Sequence, residues 1–314
     1  MTNLTDTTKA VPAITRLPLK TFRGRRDRKI TPWLFLIVPL VLLGVFTYLP
    51  AANMLYYSLT DWNGFEASPK VFVGLDNYAA IFTRDDILPV FAVSLYYFFA
   101  SFIQMAIALY FATVLSFSTR FQNLFKGIIF FPSLVNGVAI GFVFLYVFQP
   151  GGTLDTVLAA GGLDGLSRFW LGDPDVVNYS LAGTSVWRYT GLNFVLFLGA
   201  IQSIPKELYE AADIDGATKW QQFRFIIAPG IKRIISLSFI LAVSGSLAVF
   251  EIPFIMTNGA NGSMTFVIKT VALGLGTFHK VGLASAMAVV LLIIVLLVTL
   301  LQRRLVPDEK VDLS

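Results

Sequence analysis

The chain contains no cysteine and only one histidine, His279, in 314 residues. Without cysteine it can form neither a disulfide nor a thiolate metal site, and it has no thiol nucleophile. A single histidine argues against a multi-histidine metal centre and against a Ser-His-Asp triad. The sequence also lacks the G-x-x-x-x-G-K-[ST] motif, so it cannot bind ATP through a P-loop. The sequence therefore offers no recognisable set of catalytic residues, and this argues against an enzyme, including one that works within a membrane.

Charge is scarce as well: 14% of the residues are charged and 56% are hydrophobic, and the mean hydropathy is +0.72. This composition, with its long uncharged runs, is typical of a polytopic membrane protein. A span needs about 20 apolar residues. Six runs qualify, and they predict an all-α fold with six transmembrane helices. The runs lie at roughly 33–55, 91–115, 127–148, 181–202, 234–254 and 282–301. The third contains Gly137-x-x-x-Gly141, a spacing that lets helices approach closely.

The spans divide the chain into a basic tail at 1–32, a transmembrane domain at 33–305 and a short tail at 306–314. With the N-terminus inside, 18 of the 24 Lys and Arg residues fall on the inner side and six on the outer side. By the positive-inside rule, this bias predicts that both termini are cytoplasmic. A basic tail could bind nucleic acid or anionic lipid. Such a cluster more often holds the first helix in place beside membrane lipid, so we expect no nucleic-acid partner.

The stretch at 203–229, SIPKELYEAADIDGATKWQQFRFIIAP, lies between two apolar runs but is too polar to cross a bilayer. Its pattern predicts two short helices. Ser203 is a suitable N-cap for the first helix, and Gly216 suits a left-handed turn at its end. Thr218 and Gln221 fit a capping box at the start of the second helix. The stretch is therefore expected to lie in water or against another protein.

A family signature is present in this stretch. Its Glu-Ala-Ala, Asp-Gly-Ala, Phe, Ile and Pro residues stand at the spacing of the EAA loop, and the chain resembles the permeases of ABC importers, with a sugar-importer lead-in at 202–209. The resemblance implies the type I ABC importer permease fold. In that fold this cytoplasmic loop docks into a groove on the ATPase subunit, a task suited to a short amphipathic helix. The positions to which it assigns coupling are Glu210, Ala211, Ala212, Asp215, Gly216, Ala217, Phe223 and Pro229.

The same resemblance implies partners and a location. The partners are a second homologous permease chain that completes a heterodimer, two ATPase subunits and an extracytoplasmic sugar-binding protein. The location is the inner, cytoplasmic membrane of the cell. ATP and Mg²⁺ would be held by the ATPase subunits, because this chain has no P-loop. The chain itself is expected to bind no cofactor and no metal, and to be a transporter subunit rather than an enzyme.

A substrate path is implied as well. Positions around a Trp some twenty residues before the EAA glutamate resemble those where sugar permeases contact substrate, and a Phe-acidic pair follows in the fifth span. An aromatic face can pack on a pyranose ring, while amide, hydroxyl and carboxylate groups satisfy its hydroxyls. The implied residues are Ser185, Trp187, Tyr189, Asn193, Phe250 and Glu251. Trp187 and Tyr189 could instead belong to the aromatic belt at a membrane interface.

The sequence does not name the substrate. A neutral sugar, from mono- to oligosaccharide, is favoured because no cluster of Arg or Lys lines the spans to hold a phosphate. Glycerol phosphate or another polyol stays an alternative. A secondary transporter working alone is less favoured, since it predicts internal inverted repeats that the sequence does not show and leaves the EAA-like loop unexplained.

Overall fold

Helices account for nearly all regular structure in residues 27–117, 121–276 and 278–305, the part of the chain that this computed structural model describes. Residues 1–26 of the predicted tail at 1–32, and the whole predicted tail at 306–314, lie outside these residues. The helices are α1 (Asp27–Leu43), α2 (Leu49–Ser58), α3 (Asp76–Thr83), α4 (Val90–Val114), α5 (Gln122–Leu134), α6 (Gly137–Phe148), α7 (Thr153–Ala160), α8 (Val177–Gln202), α9 (Lys206–Ile214), α10 (Lys219–Gln222), α11 (Ala228–Gly230), α12 (Lys232–Leu247), α13 (Glu251–Thr257), α14 (Phe266–Gly274) and α15 (Val281–Leu305).

One small antiparallel hairpin interrupts the helices. Strands β1 (Thr60–Asp61) and β2 (Val71–Phe72) pair Thr60 with Phe72 and Asp61 with Val71. The predicted all-α class is confirmed apart from this hairpin, which has only two residues in each strand.

Four helical segments are long and apolar enough to cross a membrane. They are Phe35–Ser58, Val90–Val114, Lys232–Thr257 and Val281–Arg304, and they match the first, second, fifth and sixth predicted spans. The fourth predicted span is present as α8, a single helix of 26 residues, but its polar residues make it less apolar than these four. Within the described residues the apolar spans number four, or five when the bent pair α5–α6 counts as one. Six spans stay a prediction.

The third predicted span is not one straight helix, because α5 and α6 meet at 99°. Between them Val135 is extended, and the Asn136 side chain caps α6 by accepting a hydrogen bond from the Val138 N–H at 2.8 Å. Pro132, near the end of α5, has no N–H to donate to the helix. A continuous helix over 127–148 is therefore wrong, and the segment is a broken helix with a capped second half.

Two π-helical turns each lie just before a proline. One spans Gly44–Tyr48 ahead of Pro50, and the other spans Phe223–Ile227 ahead of Pro229. In each, the residue preceding the proline donates its N–H to the carbonyl five residues back. A proline ring clashes with the carbonyl four residues before it in a regular helix, and the wider turn relieves that clash. Both segments thus continue as helices through their prolines.

The chain divides into a unit that ends at Ala52, whose described part is one helical segment, and a unit that begins at Asn53. Three buried apolar clusters hold the second unit together. The first joins α3, the start of α4, α14 and α15, the second joins α4, α8 and the stretch that leads into α12, and the third joins α4, α8 and α13. Because α4 and α8 share two of the three clusters, they form the centre against which the other helices pack.

Helix α6 approaches α13 closely. A β-carbon at Gly141 would lie 2.8 Å from the Ile255 side chain, so a larger residue would push the two helices apart. The close approach predicted from the Gly137-x-x-x-Gly141 spacing is confirmed. The contact made at Gly137 belongs to the site described below.

Candidate functional site

The loop at 203–229 folds as two short helices, as predicted, but its start is different. Pro205 precedes the first residue of α9, and no side chain caps that helix. The Ser203 hydroxyl instead donates a hydrogen bond to the Ala200 carbonyl at 2.7 Å, at the C-terminal end of α8. The prediction that Ser203 caps α9 is therefore wrong. The apolar run of α8 continues to Gln202 and leaves Ser203 as part of the preceding helix.

The turn that ends α9 is left-handed, as expected. Gly216 has φ +71°, a conformation in which a β-carbon is disfavoured. Its N–H donates to the Asp213 carbonyl at 3.2 Å, and the Ala217 N–H donates to the Ala212 carbonyl at 2.9 Å. These two bonds close the end of the helix in the manner of a Schellman turn. The turn sets the direction in which the chain enters α10.

The second short helix begins with the predicted capping box. The Gln221 N–H donates to the Thr218 hydroxyl, and the Thr218 N–H donates to the Gln221 side chain at 2.7 Å. The Asp213 carboxylate joins the two helices by accepting hydrogen bonds from the Gln222 amide and the Lys219 ammonium. These two donors, the amide foremost, hold the pKa of the Asp213 carboxyl below its usual range. The two helices are thus fixed to each other by backbone and side-chain bonds.

The loop has one face on the helical core and one face open. Ile204, Tyr209 and Phe223 pack against the apolar cluster of α4 and α8. On the open face, Leu208 and Ile214 expose apolar surface, and Ile214 is 86% exposed. Of the predicted coupling residues, Glu210, Ala211, Asp215, Gly216 and Pro229 are exposed, while Ala212, Ala217 and Phe223 are half-buried. An open amphipathic helix of this kind suits recognition by a groove.

A cavity of about 520 Å³ lies between α4, α8, α12 and the start of α13. Five of the six predicted substrate-path residues line it, although they come from two stretches about sixty residues apart in the sequence. These five are Ser185, Tyr189, Asn193, Phe250 and Glu251. Ser185 and Asn193 are buried, and the ring of Phe250 stacks on Phe254 at 4.7 Å between centroids.

Two charged side chains in the cavity wall neutralise each other. Arg188 Nη1 lies 2.6 Å from Glu251 Oε2, and the side chains are 15% and 51% exposed respectively. The pair sits directly on Gly137, where a β-carbon would come within 1.9 Å of the Glu251 oxygen and 2.2 Å of the Arg188 nitrogen. The guanidinium carbon also lies 4.9 Å from the centre of the Tyr189 ring. All other residues lining the cavity are uncharged.

Comparison with known proteins identifies a family. The family described as "Binding-protein-dependent transport system inner membrane component" matches residues 104–311, two thirds of the chain. The chain belongs to this family. The probable ABC transporter permease protein YurN of Bacillus subtilis is 35% identical to this permease over 284 residues, which cover 88% of this chain and 96% of that protein.

Two other relatives have names that state a cargo. The multiple sugar-binding transport system permease protein MsmF of Streptococcus mutans is 31% identical, covering 87% of this permease and 94% of that protein. The diacetylchitobiose uptake system permease protein NgcF of Streptomyces coelicolor is 30% identical, covering 91% and 87%. A solved chain of a bacterial ABC transporter involved in alginate import matches with a TM-score of 0.75 and 22% identity, over 89% of this permease and 97% of that chain. At this identity the match shows a shared fold.

Trp187 is the one predicted substrate-path residue that the structure does not bring to the cavity. Its ring packs on Phe144 of α6 at 5.2 Å between centroids, and it is partly exposed. Ser185, Tyr189 and Asn193 follow the helical repeat on α8, whereas Trp187 lies about 200° from Ser185 around the helix axis. The family resemblance points to one stretch of α8. The helical period places Ser185, Tyr189 and Asn193 on the face towards the cavity and Trp187 on another face.

Sequence reasoning missed the wall that α4 contributes. Tyr97, Ser101 and Gln104 line the same cavity. Their spacing of four and then three residues places them on one face of a span that is otherwise strongly apolar. The sequence therefore does contain a signal for this wall, namely polar residues at helical spacing inside an apolar run.

Proposed function

We propose that this permease is the membrane subunit of an ATP-driven importer for a neutral sugar that an extracytoplasmic binding protein delivers. The observation that carries the proposal is the cavity between α4, α8, α12 and α13, whose wall combines an aromatic ring, an amide and hydroxyls with one internally neutralised ion pair. Such a wall offers hydrogen bonds to a polyhydroxylated ligand and no net charge. The sugar names of two relatives support the same class of cargo.

A neutral cargo is favoured over an anionic one. A phosphate or carboxylate group is normally held by Arg or Lys. The one guanidinium in the cavity wall, that of Arg188, is already bound to Glu251 at 2.6 Å. An anionic polyol such as glycerol phosphate would have to displace a carboxylate that belongs to the protein. We therefore keep glycerol phosphate as the second choice.

Energy would enter through the loop at 203–229. In the proposed cycle, ATP and Mg²⁺ bind to two partner ATPase subunits, which close and draw together this loop and that of a second permease chain. The spans then rock, and the cavity opens outward to accept the sugar. The coupling contact is assigned to the open face of α9 and to the Gly216 turn. The half-buried Phe223 would transmit the movement to α4 and α8.

The proposed orientation follows the charge bias. Both termini, the tails at 1–32 and 306–314 and the coupling loop would face the cytoplasm, and the transmembrane domain at 33–305 would lie in the inner membrane with six spans. The helix break at residues 135–136 fits this arrangement, since non-helical backbone at membrane depth is tolerated where it is buried in protein or lines a cavity.

Co-purification from native membranes tests this function. A tagged chain should bring down a P-loop ATPase and a second permease, identified by mass spectrometry. Glu210→Lys reverses a charge on the exposed face of the coupling helix and should lower ATPase recovery. Glu66→Lys makes the same change at another exposed position, in the loop between the first and second predicted spans, which the predicted orientation puts outside, and should leave recovery unchanged. A chain that transports when purified without any ATPase would establish a secondary transporter and overturn the proposal.

A further inference from the structure

The Lys219 side chain lies where the loop at 203–229 meets the end of α4. Its ammonium nitrogen is 3.2 Å from Asp213 Oδ1 on α9 and 3.1 Å from Gln222 Oε1 on α10. The same nitrogen is 4.8 Å from the centre of the Phe117 ring. Phe117 follows Val114, the last residue of α4, by three positions. One ammonium group therefore contacts both short helices of the loop and the segment that follows α4.

These contacts fix positions and add little to stability. The side chains of Lys219 and Asp213 are 60% and 58% exposed, and ion pairs so exposed contribute little to the free energy of unfolding because water screens them. Gln222 is fully buried, and its amide donates to the Asp213 carboxylate. That bond holds α9 to α10 with or without Lys219. What Lys219 adds is the attraction between its charge and the Phe117 ring.

The end of α4 is well placed to pass a movement on. Phe117 packs against the apolar cluster of α4 and α8. Gln122 of α5 donates its side-chain amide to the Leu115 carbonyl, so the start of α5 is tied to the same point. Further along, α4 lines the cavity that it shares with α8, α12 and α13. A displacement that reaches Phe117 is therefore carried towards both α5 and the cavity wall.

We infer that Lys219 is a positioning residue that joins the loop at 203–229 to α4, so that movement of the loop shifts the cavity wall. The inference rests on the proposed function and adds a polar connection to the apolar one at Phe223. A lysine on an exposed surface is usually surrounded by water and has no such role. Lys232 is an example, since it is exposed and its side chain makes no hydrogen bond, ion pair or ring contact within the described residues.

Three substitutions separate the ring contact from other effects. Lys219→Met removes the charge and keeps an unbranched side chain. Phe117→Leu removes the ring and keeps an apolar side chain, whereas Phe117→Tyr keeps the face of the ring. Lys232→Met is the matched control, because it deletes the same charge from an exposed lysine that lacks these contacts.

Because the chain has no cysteine, one introduced thiol can report on α4. Ala100→Cys places this thiol in the cavity wall on α4. In the assembled importer, the rate at which a maleimide alkylates this chain is measured with and without ATP and Mg²⁺. We expect ATP to change the rate in the reporter chain, and Lys219→Met and Phe117→Leu each to reduce that change about threefold. Phe117→Tyr and Lys232→Met should leave the change intact, and combining Lys219→Met with Phe117→Leu should reduce it no further.

The outcomes are distinguishable. An undiminished change in Lys219→Met would overturn the inference and leave the proposed function standing. An equal reduction in Lys232→Met, or a parallel loss of abundance or of recovered ATPase in Lys219→Met, would also overturn it, because the effect would then come from charge alone or from folding. If ATP causes no change in the reporter chain although the ATPase is recovered, the loop does not move α4 and the inference fails. If no ATPase is recovered at all, both the proposed function and the inference fail.

Discussion

Glu251 binds Arg188 at 2.6 Å at the point where two helices begin. Glu251 is the first residue of α13, and Gly137, the first residue of α6, lies directly beneath the pair. The salt bridge therefore ties the first residues of α6 and α13 to the long helix α8, which runs from the cavity to the coupling loop. Movement of α8 and movement at the starts of these two helices are linked through one contact.

Gly137→Ala should break this contact. A β-carbon there would come within 2.2 Å of atoms of both charged groups, so the side chains would have to separate. We expect lower abundance and lower uptake per assembled complex. Gly127→Ala is the control, because a β-carbon at Gly127 of α5 meets nothing within 4 Å. That change should be neutral, or stabilising by about 0.5–1 kcal/mol. Equal behaviour of the two variants would show that the close packing over Gly137 is unimportant.

Removing the charge of Glu251 and removing the charge of Arg188 should lower stability by different amounts. Glu251→Gln leaves the poorly exposed guanidinium of Arg188 without its counter-charge, and we expect a cost of about 1–3 kcal/mol. Arg188→Gln leaves the carboxylate of Glu251, which is half in solvent, and should cost less than about 1 kcal/mol. Thermal unfolding of the purified complexes in detergent measures the difference. A larger loss in Arg188→Gln would contradict the burial argument.

Substitutions at Gly216 should act through the backbone preference of the new residue and not through the size of its side chain. Its φ is +71°, and a β-carbon would meet nothing within 4 Å, so a substitution there is opposed by conformation alone. Gly216→Val should re-aim α10 relative to α9 at a cost of about 1–2 kcal/mol. Asn tolerates this conformation, so Gly216→Asn should keep uptake close to wild type. The measurement is uptake per unit of ATP hydrolysed, with expression checked by immunoblot. Wild-type coupling in the Val variant would refute the role of the turn.

Local features of the coupling loop were predictable because their signals are local. Gly216, Thr218 and Gln221 each specify a backbone conformation or a hydrogen bond within three residues, and all three behave as expected. Ser203 was misassigned because a serine between an apolar run and a proline fits the end of one helix as well as the start of the next. Only the packing of α8 through Gln202 decides between them.

Features that depend on distant residues were not predictable in the same way. Arg188 and Glu251 are 63 residues apart, and nothing in either neighbourhood indicates that they meet. The break at Val135 did have local signals in Pro132 and in the Asn136-Gly137 pair. They were overridden because the apolar run continues through them, and hydropathy alone does not distinguish a broken span from a straight one.

Because the chain has no cysteine, thiols introduced one at a time can test the predicted orientation. A thiol introduced at Ala10 or at Lys310 should resist a membrane-impermeant reagent in intact cells, because the positive-inside bias places both tails in the cytoplasm. Gly165→Cys provides the positive control, since this residue is exposed in the loop between the third and fourth predicted spans, which the same orientation puts outside, and a β-carbon there meets nothing within 4 Å. Labelling of either tail under conditions where Gly165→Cys also labels would overturn the six-span topology.

The final prediction separates two residues of α8 that the sequence grouped together. Asn193 is buried and lines the cavity, whereas Trp187 packs on Phe144 of α6 outside it. Asn193→Ala removes a hydrogen-bonding amide from the cavity, and we expect sugar affinity to fall about fivefold with normal abundance. Trp187→Ala removes an aromatic contact worth about 0.5–1.5 kcal/mol beyond its buried area, so stability and abundance should fall while sugar affinity stays the same.

Trp187→Phe serves as the control for this pair, because it retains an aromatic partner for Phe144 and should recover most of the abundance. Ala242 lines the cavity on α12, and Ala242→Cys gives the chain its only thiol. Binding is measured by the protection that added maltose, lactose or cellobiose gives this thiol against alkylation, and abundance by immunoblot of isolated membranes. The helical period underlies the contrast, since six residues separate the two positions and place them about 120° from each other around the axis of α8. A loss of sugar affinity in Trp187→Ala that matches the loss in Asn193→Ala would mean that the cavity reaches around the helix to this ring.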